Sequence, residues 1–400
     1  MSDLDAFRAE LRDFLETACP ASMRTPVDLT QTGNWGGRKR EFYEPVEDGE
    51  RWMKAMAGRG LTAPTWPREY GGAGLDRAEH AVLVEEMARI GARPPLSSIG
   101  LIMLGPLLLE LGSEAQKREH LPAIANGDIR WCQGYSEPGA GSDLAAVQTR
   151  AEDRGDHYVV TGQKIWTSYA DRSDMIFCLV RTDPDAPKHK GISFLLVDMD
   201  QPEVRTRPIR LISGASPFCE TFFDGARAEK RNLVGAPGAG WTIGKRLLQF
   251  ERQSIGGLDG AARGGRRATP LPDLARRYCG ERGGRIADPV LRDRVAALEM
   301  RAHAQRTTMR RVADEARAGT GVGTASSIFK YLATEGNKRR YELLLEILGA
   351  RGIGWEGPGF TADELATTRQ WLRSKANSIE GGTSEIQLDI IARRVLGLPR

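Results

Sequence analysis

Hydrophobic positions recur at helical spacing towards both ends of the chain and at strand spacing in between. Leu4, Phe7, Leu11, Phe14 and Leu15 share one face of a first helix, with Ser2 or Asp3 as its cap. The spacing predicts a second helix over Arg77 to Ile90, stopped by Gly91, and a third over Leu101 to Leu111, stopped by Gly112. The segment from Trp66 to Gly74 interrupts them as a loop. After Asp128 the pattern shortens. Tyr158 to Thr161 follow the turn Arg154-Gly155-Asp156, and Ile176 to Val180 and Ile192 to Val197 are β-branched apolar runs of strand length, the last two parted by Lys188-His189-Lys190-Gly191. This β region runs to about Pro237.

The helical period returns at Trp241. Asp288 caps and Pro289 opens a helix with Leu291, Val295, Leu298, Ala302, Met309, Val312 and Ala316 on one side, ended by Gly319. Ile328 to Leu348 form another, ended by Gly349. The last starts at Thr383 or Ser384 and carries Ile386, Ile390, Ile391, Val395 and Leu396. Residues 255 to 287 are rich in Gly and Arg and show no period. The layout is α, then β, then α, an α+β chain with domains at 1–128, 129–237 and 238–400 and no internal repeat.

Composition narrows the function. The 400 residues are 40% hydrophobic and 28% charged, ordinary for a globular protein of two or three domains. The longest apolar run, Leu101 to Leu109, contains Gly105 and Pro106 and is too short to span a bilayer. Asp3, Asp5 and Glu10 near the start, with no apolar stretch behind them, show no secretory signal. Cys19, Cys132, Cys178, Cys219 and Cys279 lie far apart, which argues against a disulfide framework or a metal site and fits a reducing cytoplasm. A net charge of +4 is mild. Arg263, Arg266, Arg267, Arg276, Arg277, Arg282 and Arg285 form a cluster with only Tyr278 among them, so a base-stacking, nucleic-acid surface is not expected. The cluster reads as a solvated loop or as a contact to an anionic ligand.

Two segments carry the chemistry. Tyr135-Ser136-Glu137-Pro138-Gly139-Ala140-Gly141-Ser142-Asp143 is a loop of hydroxyls, glycines and main-chain donors. Gly162-Gln163-Lys164-Ile165-Trp166-Thr167-Ser168 places an indole among small polar residues at the end of a strand. Donors and an aromatic face together suit a flat cofactor with polar edges. In this order and spacing the two resemble the flavin-binding middle domain of the acyl-CoA dehydrogenase family. The resemblance extends through Trp66 to Gly74, Leu121-Pro122, Asn126-Gly127-Asp128, Asn232-Leu233-Val234-Gly235, Gly381-Gly382-Thr383-Ser384-Glu385-Ile386-Gln387 and Ala392 to Gly397.

That resemblance implies a helical N-terminal domain, a β-barrel-like middle domain and a C-terminal helical bundle. It implies FAD as cofactor and an acyl-CoA substrate, which loses its α-proton to a carboxylate and its β-hydrogen as hydride to the flavin. It also implies an electron-transfer flavoprotein as acceptor, and assembly as a homotetramer or as a heteromer with a paralogous chain. The family's catalytic glutamate position holds Gly381, whose backbone N–H remains as a donor to the developing enolate oxygen. Members without a carboxylate there take the base from an earlier helix, and Glu251 stands at the matching place. Glu380, next to Gly381, is the alternative base, although side chains alternate in an extended loop and would turn it away.

By the same resemblance Tyr135, Ser136, Gly141, Ser142, Trp166, Ser168, Thr383 and Glu385 contact the flavin, and Ser142 and Arg252 the CoA of the substrate. Core packing for Trp166, and simple turn roles for Ser136 and Ser142, are the competing readings. Glu346, Gly349 and Ala350 fall at the adenosine end of FAD, with glutamate where the family has glutamine and alanine where it has glycine. The family's R-x-x-F-G segment is replaced by Ala275-Arg276-Arg277-Tyr278-Cys279-Gly280. A non-catalytic partner subunit, or an acyl-CoA oxidase or eliminase on the same fold, stays open beside the dehydrogenase reading.

Overall fold

The structure, a computed structural model, describes residues 3–25, 33–256, 270–317 and 325–399. They form two compact units. One gathers the described residues up to Ile209 with Ser216–Glu251, and the other Arg210–Ala215 with the described chain beyond Glu251.

The first unit begins with α1 (Asp3–Ala18), α2 (Val46–Ala57), α3 (Arg77–Arg89), α4 (Gly105–Leu111) and α5 (Glu114–Asn126). Leu11 and Leu15 of α1 share a buried cluster with Trp52, Met56, Val82 and Leu83. The third expected helix is preceded by a π-helical turn over Gly100–Leu104 and becomes α-helical only at Gly105. Trp66 crosses there, and a Cβ on Gly105 would lie 2.1 Å from its ring. The pattern did not announce α2 or α5. In α5 Pro122 and a hydrophilic first half hide the period. Its end signals were present: Ser113 and Gln116 form a reciprocal capping box, and Gly127 closes the helix at φ +72°.

The strands are β1 (Trp131–Gly134), β2 (Arg150–Asp153), β3 (His157–Ser168), β4 (Met175–Arg181), β5 (Ile192–Asp198), β6 (Val204–Ile209), β7 (Phe218–Glu229) and β8 (Leu233–Val234). They pair in the order β6-β7-β3-β2-β4-β5-β8, with β1 parallel to β4. One face closes on an interior of Cys132, Val160, Ile176, Val180, Leu195, Val197 and Phe223. The other packs Phe177, Leu179, Phe194 and Leu196 against Leu107 of α4, Ile124 of α5, and Ile243 and Leu247 of α6 (Gly240–Gly256). β4 and β5 are covered on both faces, which is why they read as unbroken apolar runs.

The second unit holds α7 (Leu271–Cys279), the hairpin β9 (Glu281–Arg282) and β10 (Arg285–Ile286), α8 (Pro289–Arg317), α9 (Ala325–Leu348), α10 (Ala362–Ser374) and α11 (Ser384–Arg394). α9 lies at the centre, against α7, α8, α10 and α11. Asp288 caps α8 by accepting from Val290 and Leu291 N–H at 2.8 and 3.2 Å. The expected stop at Gly319 lies outside the described residues. α10 was not anticipated, although Thr361 and Glu364 form its capping box. All five cysteines are free, and no described helix is long and apolar enough to cross a membrane.

Candidate active site

The loop after β1 is set from beneath by a lysine. Glu137 and Ala140 exchange two backbone hydrogen bonds of 3.0 Å around Pro138-Gly139, and Ile165 N–H donates to Ser136 at 2.9 Å. Lys164, fully buried, donates from Nζ to Glu137 Oε1 and to the Leu179 carbonyl, both at 2.7 Å, and to the Tyr135 carbonyl at 3.3 Å. Glu137 also accepts from Gln148 and Thr149 N–H at 2.7 and 2.9 Å. Burial works against the carboxylate, but the Lys164 ammonium and these donors outweigh it and hold the Glu137 pKa below the ordinary glutamate value. Neither residue was singled out from sequence, where a lone Lys or Glu defaults to the surface.

Above that clamp the chain is open. A Cβ on Gly139 or Gly141 would meet nothing within 4 Å, and Ser142 is exposed. Trp166 ends the β3 side of the site at φ +61° and is 51% exposed, with Phe218 edge-on at 6.2 Å. Core packing is therefore excluded for Trp166. Its orientation comes from a bulge: Lys164 pairs with Thr221 and Thr167 with Cys219, so Ile165 and Trp166 together oppose Glu220 alone. Tyr135 corrects an expectation. Its ring is buried edge-on to the stacked pair Phe177 and Phe194, so only its main chain remains for a planar ligand.

Glu251 lies half-buried on α6, in the same unit as these loops, and Gln133 of β1 donates to its Oε2 at 3.4 Å. The side chain of Arg252 lies outside the described residues. Beside the loop, a cleft of about 460 Å³ is lined by Ala146, Gln148, Arg150, Arg181, Pro184 and Lys188. Arg181 spends its guanidinium on the carbonyls of Ala145, Val147 and Lys188, and Lys188 pairs with Asp143, so Arg150 is the cation of the lining that is committed least.

The second unit builds its own clamped loop. Gly381 and Gly382 turn at φ +64° and +88°, conformations that favour glycine. Lys330, also fully buried, donates to the carbonyls of Asn377 and Gly382 at 3.2 and 2.7 Å, and Gln387 donates to Gly381 O at 3.2 Å. Thr383 caps α11 by accepting from Ile386 N–H at 3.3 Å. The backbone N–H of Glu385 itself, and then the Thr383 hydroxyl, hold the Glu385 carboxyl below its usual pKa. Glu380 is drawn to Arg373 and to Asn377, both at 2.6 Å. The loop is turned rather than extended, so what holds Glu380 is these two partners and not the strand alternation anticipated for it.

Glu346 forms an ion pair with Arg294, and Gly349 turns at φ +54° with open space around it. In α7, Tyr278 donates to Glu364 at 3.0 Å and Arg276 pairs with Asp273. Arg263, Arg266 and Arg267 lie outside the described residues. Among the described residues no group of three or more His, Cys, Asp or Glu comes together to hold a metal.

Comparison with known proteins decides the family. Three family models match in chain order: the acyl-CoA dehydrogenase N-terminal domain over residues 2–128, the middle domain over 132–226 and the C-terminal domain over 238–396. The acyl-CoA dehydrogenase IpdE1 of Mycobacterium tuberculosis is 39% identical over 402 residues, covering all of this chain and 99% of the relative. The chain belongs to the acyl-CoA dehydrogenase family. Glutaryl-CoA dehydrogenase of Desulfococcus multivorans is 32% identical over 84% of this chain and 87% of its own. Among solved structures, one described as the Tcur3481-Tcur3483 steroid ACAD has a TM-score of 0.77 at 31% identity, covering 99% of this chain and 98% of the other. The ChsE4-ChsE5 complex from Mycobacterium tuberculosis has a TM-score of 0.72 at 30% identity, covering 100% and 98%.

The acyl-CoA dehydrogenases are FAD-dependent oxidoreductases acting on acyl-CoA, and this one belongs among them. The residues present fit the cofactor: an exposed indole, a hydroxyl-rich loop held rigid from below, and glycines with clear space above them. Nothing in the chain itself requires glycine at 141. Gly141→Val is therefore expected to leave the stability of the flavin-free chain within about 0.5 kcal/mol, while FAD affinity drops about tenfold, roughly 1.4 kcal/mol. Titration of the flavin-free protein with FAD checks this, and an unchanged affinity would remove Gly141 from the site.

Proposed function

We propose that this chain dehydrogenates the Cα–Cβ bond of a bulky, steroid-derived acyl-CoA thioester to give the 2-enoyl-CoA, with an electron-transfer flavoprotein as its acceptor partner. The observation that carries the reading is Glu251, half-buried on α6 beside Gln133, in a chain whose loop offers Gly381 and ties Glu380 to Arg373 and Asn377. Glu251 takes the α-proton as general base. The Gly381 N–H donates to the thioester oxygen as negative charge builds on it. Trp166 and the Ser136 to Ser142 loop hold the cofactor's ring, and FAD, when bound, supplies the two-electron acceptor. Arg150 and the cleft beside Ser142 suit the phosphates of CoA. A base on the earlier helix goes with branched or bulky acyl groups, and a neighbour described as a steroid enzyme supports the same class.

A second reading makes the chain one partner of a heteromer that completes a shared site. Two observations favour it. Glu346 is neutralised within the chain by Arg294, and α7 turns Tyr278 and Arg276 to internal partners where the family places R-x-x-F-G. A neighbour is described as a two-protein complex.

One titration separates the readings. The purified chain is mixed anaerobically with butyryl-, isovaleryl-, palmitoyl- and steroid side-chain CoA thioesters while its flavin band and native mass are followed. Full bleaching by the steroid thioester, with one flavin per chain, is the expected result. Substoichiometric flavin, or bleaching only after a paralogous chain is added, favours the shared site. A flavin that stays oxidised with every thioester in both settings sinks the proposal.

A further inference from the structure

β1 alternates between two cores. Trp131 and Tyr135 join the cluster beneath α6, whereas Cys132 points into the interior of the sheet. By that period Gln133 is on the α6 side, and there its Nε2 donates to Glu251 Oε2 at 3.4 Å. Tyr135 stands two residues on, its hydroxyl buried and without a hydrogen-bond partner among the described residues. It approaches the same helix at Gly244, two turns before Glu251, where a Cβ would come within 3.1 Å of Leu179 and 3.4 Å of the Tyr135 hydroxyl. Burial first, and the Glu251 charge second, raise the Tyr135 pKa well above the ordinary phenol value, so the ring remains a neutral wall.

A base that attacks a C–H bond gets little orientation from its substrate, because a C–H is a poor hydrogen-bond donor. Glutamate on a helix has several free torsions, so its direction must come from the protein. A neutral amide suits this task. It orients one carboxylate oxygen and leaves the group basic, whereas a buried ammonium, like Lys164 on Glu137, depresses the pKa. We infer that Gln133 is a positioning residue for Glu251, aiming the carboxylate from the strand side of the site; this rests on the proposed role of Glu251 as base.

The test uses holoenzyme and whichever thioester of the panel bleaches the wild type. Gln133→Met keeps the length and removes the donor. Its limiting rate of bleaching is expected to fall ~10- to 100-fold, with flavin content and thioester dissociation constant unchanged. The isotope effect from an α-deuterated thioester rises, because proton removal becomes more fully rate-limiting. Gln133→His, which restores an N–H near the same place, recovers most of the rate. A wild-type rate in Gln133→Met, with Glu251→Gln inactive, overturns the positioning role and leaves the base in place. Loss of flavin from both Gln133 variants makes the residue a cofactor or packing group and also overturns it. A wild-type rate in Glu251→Gln instead removes the base reading itself.

Discussion

Glu251→Gln is expected to slow flavin bleaching by an acyl-CoA about 10³-fold, within the range that a positioned general base supplies, while flavin content and thioester affinity stay at the wild-type level. The substitution keeps shape and polarity and removes the basic oxygen, so a pure rate effect is the signature of proton abstraction. Glu380→Gln is the matched control. Its carboxylate is committed to Arg373 and Asn377, a partly exposed pair of the kind worth ~0–1 kcal/mol, so bleaching should change less than about threefold. Stopped-flow absorbance on both variants decides between them. A collapse in Glu380→Gln with Glu251→Gln active would move the base to the loop.

Lys164→Met is the second large effect, and it acts on stability. The substitution leaves the buried Glu137 carboxylate without its cation and takes the ammonium donor from two backbone carbonyls. Breaking one half of a buried pair costs about 3–5 kcal/mol, so the denaturation midpoint falls and the loop from Tyr135 to Ser142 releases flavin. Adding Glu137→Gln should recover more than half of the loss, because the stranded charge is then gone. A double variant no better than Lys164→Met would show that the lysine acts through the carbonyls alone. The pair also sets an acid limit. The Glu137 pKa is lower folded than unfolded, so its contribution is complete above the unfolded value near 4.5 and is lost as pH falls below it through the folded value. Glu137→Gln, which lacks the pair at every pH, should therefore unfold in acid at a higher pH than the wild type, and its stability should fall less steeply below pH about 4.5.

The helices with clean caps and the buried strands were legible because their signals are local. The start of α8 follows from Asp288-Pro289, and β4 and β5 from unbroken apolar runs. The two segments that carry glycines, hydroxyls and a tryptophan in fixed order were legible as motifs of the family, whose middle-domain model matches residues 132–226. What the linear chain hid are contacts between distant positions. Lys164 meets Glu137 from 27 residues away, and Gln133 meets Glu251 from 118 away. A buried lysine carries no local mark, and Lys330 beneath the Gly382 carbonyl is a second example. The inward turn of Tyr135 was hidden for a related reason: the facing surface of α6 and β5 draws its ring in, and neither element is near it in sequence.

The bulge in β3 has a consequence for descent. A strand of even period carries residues 164 and 166 to the same side, yet here the first is a core cation and the second an exposed indole. The one unmatched residue opposite Glu220 is what keeps Lys164 and Thr167, three positions apart, both fully buried. A lineage that drops the codon for Ile165 returns the strand to regular pairing, with the indole set opposite Glu220 and Lys164 and Thr167 still on the buried face. The extra residue is thus a change that one insertion or deletion makes without disturbing the buried positions on either side.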